Sequence, residues 1–332
     1  MEKIRIGIAG FGKMGSHHAD ALKGSPLFSL EAVFDVTPAR REVAAKEYGL
    51  RAYDDLERFL RHPGLELVVV ATPSNSHAEI AVRAMRAGAN VVVEKPMALT
   101  VAEADEMLRA AKETGRMLSV YQNRRWDGDF LAARAAVEGG RIGKPQMLKV
   151  VWWTYLSALT GWSVPEFRPG WRTEKRFGGG LLYDWGAHYL DQALLLVPEK
   201  VVEVYGCLAG LKWCAEVDDT FLAVLKFAGG AVAQVEVSFA SRAPFKTNGW
   251  AVSCEKGGYR DGTLYLEEEG KLREEKVEIP PRCPEKFYEN IHAALRQGAP
   301  LVVRPEDVRR VIAVIEALFA SHERGEAVKV SI

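Results

Sequence analysis

The chain has 332 residues, 48% of them hydrophobic, and its 44 basic and 44 acidic side chains cancel. That is room for two domains of ordinary size, and a charge balance that favours neither nucleic acid nor an anionic membrane over a neutral small molecule. No apolar run approaches the roughly 20 residues of a membrane helix. A core strand begins almost at residue 1, so no signal peptide is expected. Cys207, Cys214, Cys254 and Cys283 form no C-x-x-C pair, which predicts reduced thiols, no metal and a cytoplasmic protein.

The first stretch is the most informative. Ile4–Ala9 reads as a buried strand, and Gly10-Phe11-Gly12-Lys13-Met14-Gly15 is a G-x-G-x-x-G turn. A helix follows to about Leu22, then a second strand over Leu30–Asp35, which ends on an acid about twenty residues past the last glycine. Gly10 makes the turn, Gly12 lets the backbone approach a pyrophosphate, and Gly15 lets the helix lie close on the strand. The helix N-terminus offers unpaired N–H groups to phosphates. Asp35 can accept hydrogen bonds from ribose hydroxyls. Further strands are expected at Arg51–Tyr53, Leu67–Ala71, Asn90–Val93 and Met117–Val120, with helices between them. One helix opens with the capping box Thr100-Val101-Ala102-Glu103. The alternation predicts a parallel, doubly wound sheet over residues 1–121.

After Tyr121 the pattern changes. A helix near Asp127–Glu138 precedes strands at Gln146–Thr154, Val201–Leu208, Thr220–Phe227, Ala231–Ser241 and Trp250–Cys254, with a hairpin turn at Phe227–Ala231. Strands without intervening helices predict an antiparallel sheet and an α+β domain over 122–332. Helices at Glu285–Gln297 and Pro305–His322 and a strand at Ala327–Ser331 end the chain. In Thr220–Phe227, Leu222 and Val224 flank Lys226 on a face that is not wholly polar, which suggests subunit packing.

Three segments hold candidate chemistry. Ala71-Thr72-Pro73-Ser74-Asn75-Ser76-His77 follows a strand whose carboxyl end should face the cofactor, although a plain helix cap reads the same way. Lys95, in Glu94-Lys95-Pro96, would project toward the nicotinamide and stabilise charge on a substrate oxygen. In Gly178–Gln192, helical spacing would place Asp184 and His188 one turn apart, so that a carboxylate orients an imidazole base, with Asp191 as a further partner. A surface Asp/His pair would show the same spacing. Trp152, Trp153, Trp162 and Trp171 are either sugar-stacking rings or anchors for a long loop.

Together these segments resemble the glucose–fructose oxidoreductase/inositol dehydrogenase/rhizopine catabolism (Gfo/Idh/MocA) family over nearly the whole chain. The resemblance implies an N-terminal Rossmann domain and an open-faced α+β domain that commonly forms the oligomer interface. It also implies a Lys/Asp/His catalytic set, which falls on Lys95, Asp184 and His188. The expected cofactor contacts are Gly10, Phe11, Gly12, Lys13, Met14, Gly15, Asp35, Ala71, Thr72, Pro73, Asn75, His77, Glu94, Lys95 and Asn123. Trp171 and Arg172 join Lys95, Asp184 and His188 at the substrate. Tyr121–Asp127 looks like the N-R-R-W-D step of a branch that includes scyllo-inositol dehydrogenases, some of which prefer NADP. Asp35 departs from that preference and points to NAD, while Arg40 and Arg41 leave NADP open. The expected activity is hydride transfer between a CH–OH group of a sugar or cyclic polyol and NAD(P), in a homodimer or homotetramer built on the C-terminal sheet. An NAD-dependent glycosidase and a non-catalytic cofactor-bound sensor are the alternatives on the same fold.

Overall fold

A computed structural model describes residues 2–156, 170–213, 215–247 and 249–332. These fall into two compact units: residues 2–121, 170–178 and 285–312 form the first, and the remaining described residues the second. Trp162 and Cys214 lie outside the described residues.

The first unit alternates β1 (Ile4–Ala9), α1 (Lys13–Leu22), β2 (Phe28–Phe34), α2 (Pro38–Tyr48), β3 (Arg51–Tyr53), α3 (Leu56–Leu60), β4 (Leu67–Val70), α4 (His77–Arg86), β5 (Asn90–Val93), α5 (Val101–Thr114) and β6 (Leu118–Val120). The strands form one sheet in the order β3-β2-β1-β4-β5-β6, every pair parallel. A parallel sheet covered on both faces needs strands apolar throughout, and all four residues of β4 are fully buried. The capping box forms on α5, where Thr100 accepts from the Glu103 N–H and Glu103 reaches back to the cap. Strand order reverses at β1 and β4, the place where open sheets of this kind bind ligands at their carboxyl ends.

The second unit contains α6 (Gly128–Glu138), β7 (Pro145–Tyr155), a π turn over Leu182–Gly186 that runs into α7 (Ala187–Leu196), β8 (Val201–Ala209), β9 (Thr220–Phe227), β10 (Val232–Ser238), β11 (Ala240–Lys246), β12 (Ala251–Cys254), β13 (Gly257–Arg260), β14 (Thr263–Glu268) and β15 (Lys271–Lys276). The chain then adds α8 (Glu285–Gln297), α9 (Pro305–Arg324) and β16 (Val328–Lys329). The sheet runs β15-β14-β13-β12-β7-β10-β9-β8-β16, and β11 also pairs with β7. It is mainly antiparallel, as expected, but β10 and β7 pair in parallel.

Three features differ from the sequence-based expectation. The segment 231–241 is not one strand: β10 ends at Ser238, and the chain turns back as β11 along β7. The strands β13, β14 and β15 were not expected. β15 is rich in Glu, Lys and Arg, which hides its alternation and suits a strand at the sheet edge. Finally, α8 groups with the first unit. It buries Phe287, Tyr288, Ile291 and His292, and Tyr121 lies edge-on to Phe287 with ring centroids 4.9 Å apart.

Register fixes the two faces of the large sheet. Val237 pairs with Phe221, Val235 with Ala223 and Ala233 with Leu225, all buried. On the other face Gln234 pairs with Val224 and Glu236 with Leu222. Tyr205 and Cys207 continue these rows on β8. Met147 (67% exposed) and Phe245 (54%) share that open face.

Candidate active site

The glycine turn is a cradle that side chains would fill. Gly10 has φ +93°, and a Cβ there would stand 2.7 Å from the backbone of Ala71 and Thr72. A Cβ on Gly15 would stand 2.0 Å from the Gly10 carbonyl oxygen. Gly12 caps α1 without a side-chain hydrogen bond, and Lys13 and Met14 begin the first turn, so its leading N–H groups suit an anion. The Phe11 ring is buried edge-on to Tyr48, and its N–H donates to Asp35 Oδ2 at 2.7 Å. Thr37 N–H donates to Asp35 Oδ1 at 2.8 Å. Arg40 Nη1 lies 3.5 Å from Asp35 Oδ2, and Arg41 donates to the Asp35 carbonyl at 2.8 Å. An uncapped helix start, a glycine cradle and a carboxylate at the end of β2 together fit a dinucleotide.

The next two strand ends lie within the same unit. After β4, the half-buried Ala71, Thr72 and Pro73 lead into a short 3₁₀ turn, Ser74–Ser76, on which Asn75 is exposed. His77 is buried, with Nδ1 2.8 Å from the Pro96 carbonyl and Nε2 2.9 Å from that of Thr72. It ties the loop after β4 to the loop after β5, and burial holds its imidazole below the ordinary value. At the end of β5, Glu94 is buried and its Oε2 accepts from the Lys95 N–H at 3.0 Å. Trp171 and Arg172 stand in a further 3₁₀ turn of this unit, the guanidinium stacked 4.4 Å over the indole.

In the second unit the decisive group is Gln122. Its Nε2 donates to the Ala187 carbonyl at 3.0 Å, which turns its Oε1 toward His188 Nδ1 at 2.9 Å. An amide oxygen only accepts, so Nδ1 carries the hydrogen and Nε2 keeps the lone pair. Asn123 follows in a 3₁₀ turn, Asn123–Trp126. Asp184 is half-buried in the π turn, where i→i+5 bonding replaces the α-helical spacing expected for Asp184 and His188. Asp191 does not serve His188: Arg125 holds it through two hydrogen bonds of 2.8 and 2.6 Å, both side chains 3% exposed. Trp152 packs edge-on against Trp185 at 4.1 Å, and Arg124 stacks over Trp185 at 4.3 Å.

Residues 4–122 match the family model described as an oxidoreductase family with an NAD-binding Rossmann fold, and residues 130–260 match the Gfo/Idh/MocA C-terminal domain. This chain belongs to the Gfo/Idh/MocA oxidoreductase family. It is similar to the scyllo-inositol 2-dehydrogenase (NADP(+)) IolW of Bacillus subtilis, 29% identical over 99% of this chain and 96% of that protein. It is 30% identical to myo-inositol 2-dehydrogenase of Thermotoga maritima over 71% of this chain and 68% of that protein. Among solved structures, an NAD-binding protein from Listeria innocua superposes with a TM-score of 0.86 at 31% identity, covering 99% of this chain and 97% of that one. The Gfo/Idh/MocA protein described here is therefore an oxidoreductase that binds NAD(P) through its first unit.

Two acids near the start of β9 were missed as site residues, although an Asp-Asp pair before a strand was visible. Asp219 is fully buried and accepts from the N–H groups of Leu211, Lys212 and Trp213. Asp218 accepts from the Leu182 N–H at 2.7 Å, so it caps the helix that carries Asp184 and His188. Gly180 makes room for it, since a Cβ there would stand 2.3 Å from Asp218 Oδ1. Burial pushes the Asp218 carboxyl up to about 7, against the pull of backbone N–H groups and with a smaller push from Asp219. A carboxyl raised on folding stabilises the fold fully below its unfolded value, and that contribution is lost as pH rises through about 7. Asp218→Asn should therefore gain stability over the wild type at pH 8 relative to pH 5, by on the order of a few kcal/mol. Urea unfolding at the two pH values measures it.

Proposed function

We propose that this Gfo/Idh/MocA protein is a dehydrogenase that oxidises a CH–OH group of a sugar or cyclic polyol, with NAD as the preferred acceptor. The observation that carries the reading is the hydrogen bond from His188 Nδ1 to Gln122 Oε1, which puts the ring hydrogen on Nδ1 and the lone pair on Nε2. When bound, the nicotinamide supplies the hydride acceptor. The residues must then remove the hydroxyl proton as charge builds on oxygen. His188 Nε2 accepts it, because a neutral imidazole is a competent base near pH 7. Lys95 stabilises the negative oxygen, a contribution typically of about 3–4 kcal/mol. Gln122 orients the imidazole through Nδ1, and Asp184 either holds the ring as well or binds a neighbouring substrate hydroxyl. The names of the inositol dehydrogenase relatives support a cyclitol or sugar.

Lys95→Ala and His188→Ala should each lower kcat about 10²–10³-fold while dinucleotide affinity holds. Gln122→Glu places a carboxylate on Nδ1, which favours the imidazolium. The acid limb of the kcat/KM profile should then move to higher pH. Steady-state kinetics on a panel of cyclitols and aldoses, read by nicotinamide absorbance, tests both. Near wild-type turnover by His188→Ala overturns the assignment, and product formed without net NADH would favour the glycosidase.

NAD should be preferred over NADP. The Asp35 carboxylate repels a 2′-phosphate, and Arg40 and Arg41 both bond back to Asp35. The ratio of kcat/KM for the two cofactors measures this; a clear NADP preference overturns it.

The open face of the second unit's sheet supports a homo-oligomer. Met147, Tyr205 and Phe245 are exposed there beside the half-buried Leu222 and Val224. Sedimentation at micromolar concentration should show a dimer or tetramer, and a clean monomer counts against it.

A further inference from the structure

We propose that Tyr288, His18 and Glu94 form a buried hydrogen-bonded chain that positions the main chain of Lys95. The inference rests on the dehydrogenase reading, in which Lys95 stabilises the substrate oxygen. All four residues lie in the first unit. His18 is fully buried on α1, Glu94 is 3% exposed and Tyr288 6%. The Tyr288 hydroxyl is 2.7 Å from His18 Nδ1, and His18 Nε2 is 2.9 Å from Glu94 Oε1. Glu94 Oε2 accepts from the Lys95 N–H at 3.0 Å.

With one hydrogen on the His18 ring, the chain runs in one direction. An ionised Glu94 only accepts, so Nε2 of His18 carries a hydrogen. Nδ1 then accepts from the Tyr288 hydroxyl. Burial pushes the Glu94 carboxyl up, but the His18 hydrogen bond and neighbouring charges outweigh it and hold the group low. Burial keeps the Tyr288 phenol protonated. Every donor has an acceptor, the condition under which a buried polar network adds rigidity. His77 holds the Pro96 carbonyl, so the segment is fixed on both sides of the lysine. Glu94 was expected among the cofactor contacts; here it is a positioning residue acting through Lys95.

The test compares Glu94→Ala, Glu94→Gln and Tyr288→Phe, reading kcat, KM, dinucleotide Kd and deuterium exchange at the Lys95 amide. Glu94→Ala should release that amide and lower kcat by about ten- to a hundredfold, with Kd unchanged. Glu94→Gln should largely restore both. Its amide oxygen still accepts from Lys95, and its NH₂ donates to His18 in the other tautomer, with Tyr288 now accepting. Tyr288→Phe should give a smaller loss in the same two readouts, and it decides the matter if Glu94→Ala does not fold. The proposal is overturned if Lys95 exchange and kcat are unchanged, if Glu94→Gln is as impaired as Glu94→Ala, or if kcat falls only in step with dinucleotide affinity. Should the wild type turn over no CH–OH donor, the dehydrogenase reading fails, while amide exchange still decides whether the chain holds Lys95.

Discussion

Parallel pairing is the constraint on which the first unit depends. Because all six strands run the same way, their carboxyl ends open on one edge. The chain loads that edge with Gly10 after β1, Asp35 after β2, Thr72 after β4 and Lys95 after β5. Polar contacts then join neighbouring strand ends: Phe11 N–H donates to Asp35, and the His77 ring sits between the Thr72 and Pro96 carbonyls. The rigid part of the site is thus a row of short loops cross-linked through buried polar groups, which limits the entropy that ligand binding must remove.

The two proposed catalytic groups are supported in contrasting ways. His188 leans on a neutral amide, which fixes its tautomer without adding charge. A carboxylate at the same nitrogen would favour the imidazolium and weaken the ring as a base at neutral pH. Asp191, three residues past His188, is instead held by Arg125. Lys95 has a buried acid beside it, but that acid is turned onto the backbone N–H and onto His18.

The first unit was largely legible because its signals are local. A glycine turn at residue 10, largely apolar strands and a capping box each act within a few residues, and the strand boundaries agree to within two residues. What stayed hidden depends on distance in the chain or on polar patterning. Gln122 was visible in the sequence, but its contact with His188 spans 66 residues and has no periodic signature. The π turn at Leu182–Gly186 has the composition of an ordinary helix. The spacing from Asp184 to His188 suggested a pairing, but gave no sign that Gln122 Oε1 stands 2.9 Å from His188 Nδ1. Strand β15 escaped notice because apolar alternation fades where no residue is buried.

The return of α8 to the first unit has a consequence for synthesis on the ribosome. The parallel pairing of β7 with β10 makes the second sheet wait for a strand that begins at Val232. The first unit waits as well, since Tyr288 and its neighbours are translated only after β15. Long-range closures of this kind slow folding and leave apolar strand faces uncovered in the nascent chain. Both units are therefore finished late and nearly together, so a stalled or truncated chain would leave neither of them complete.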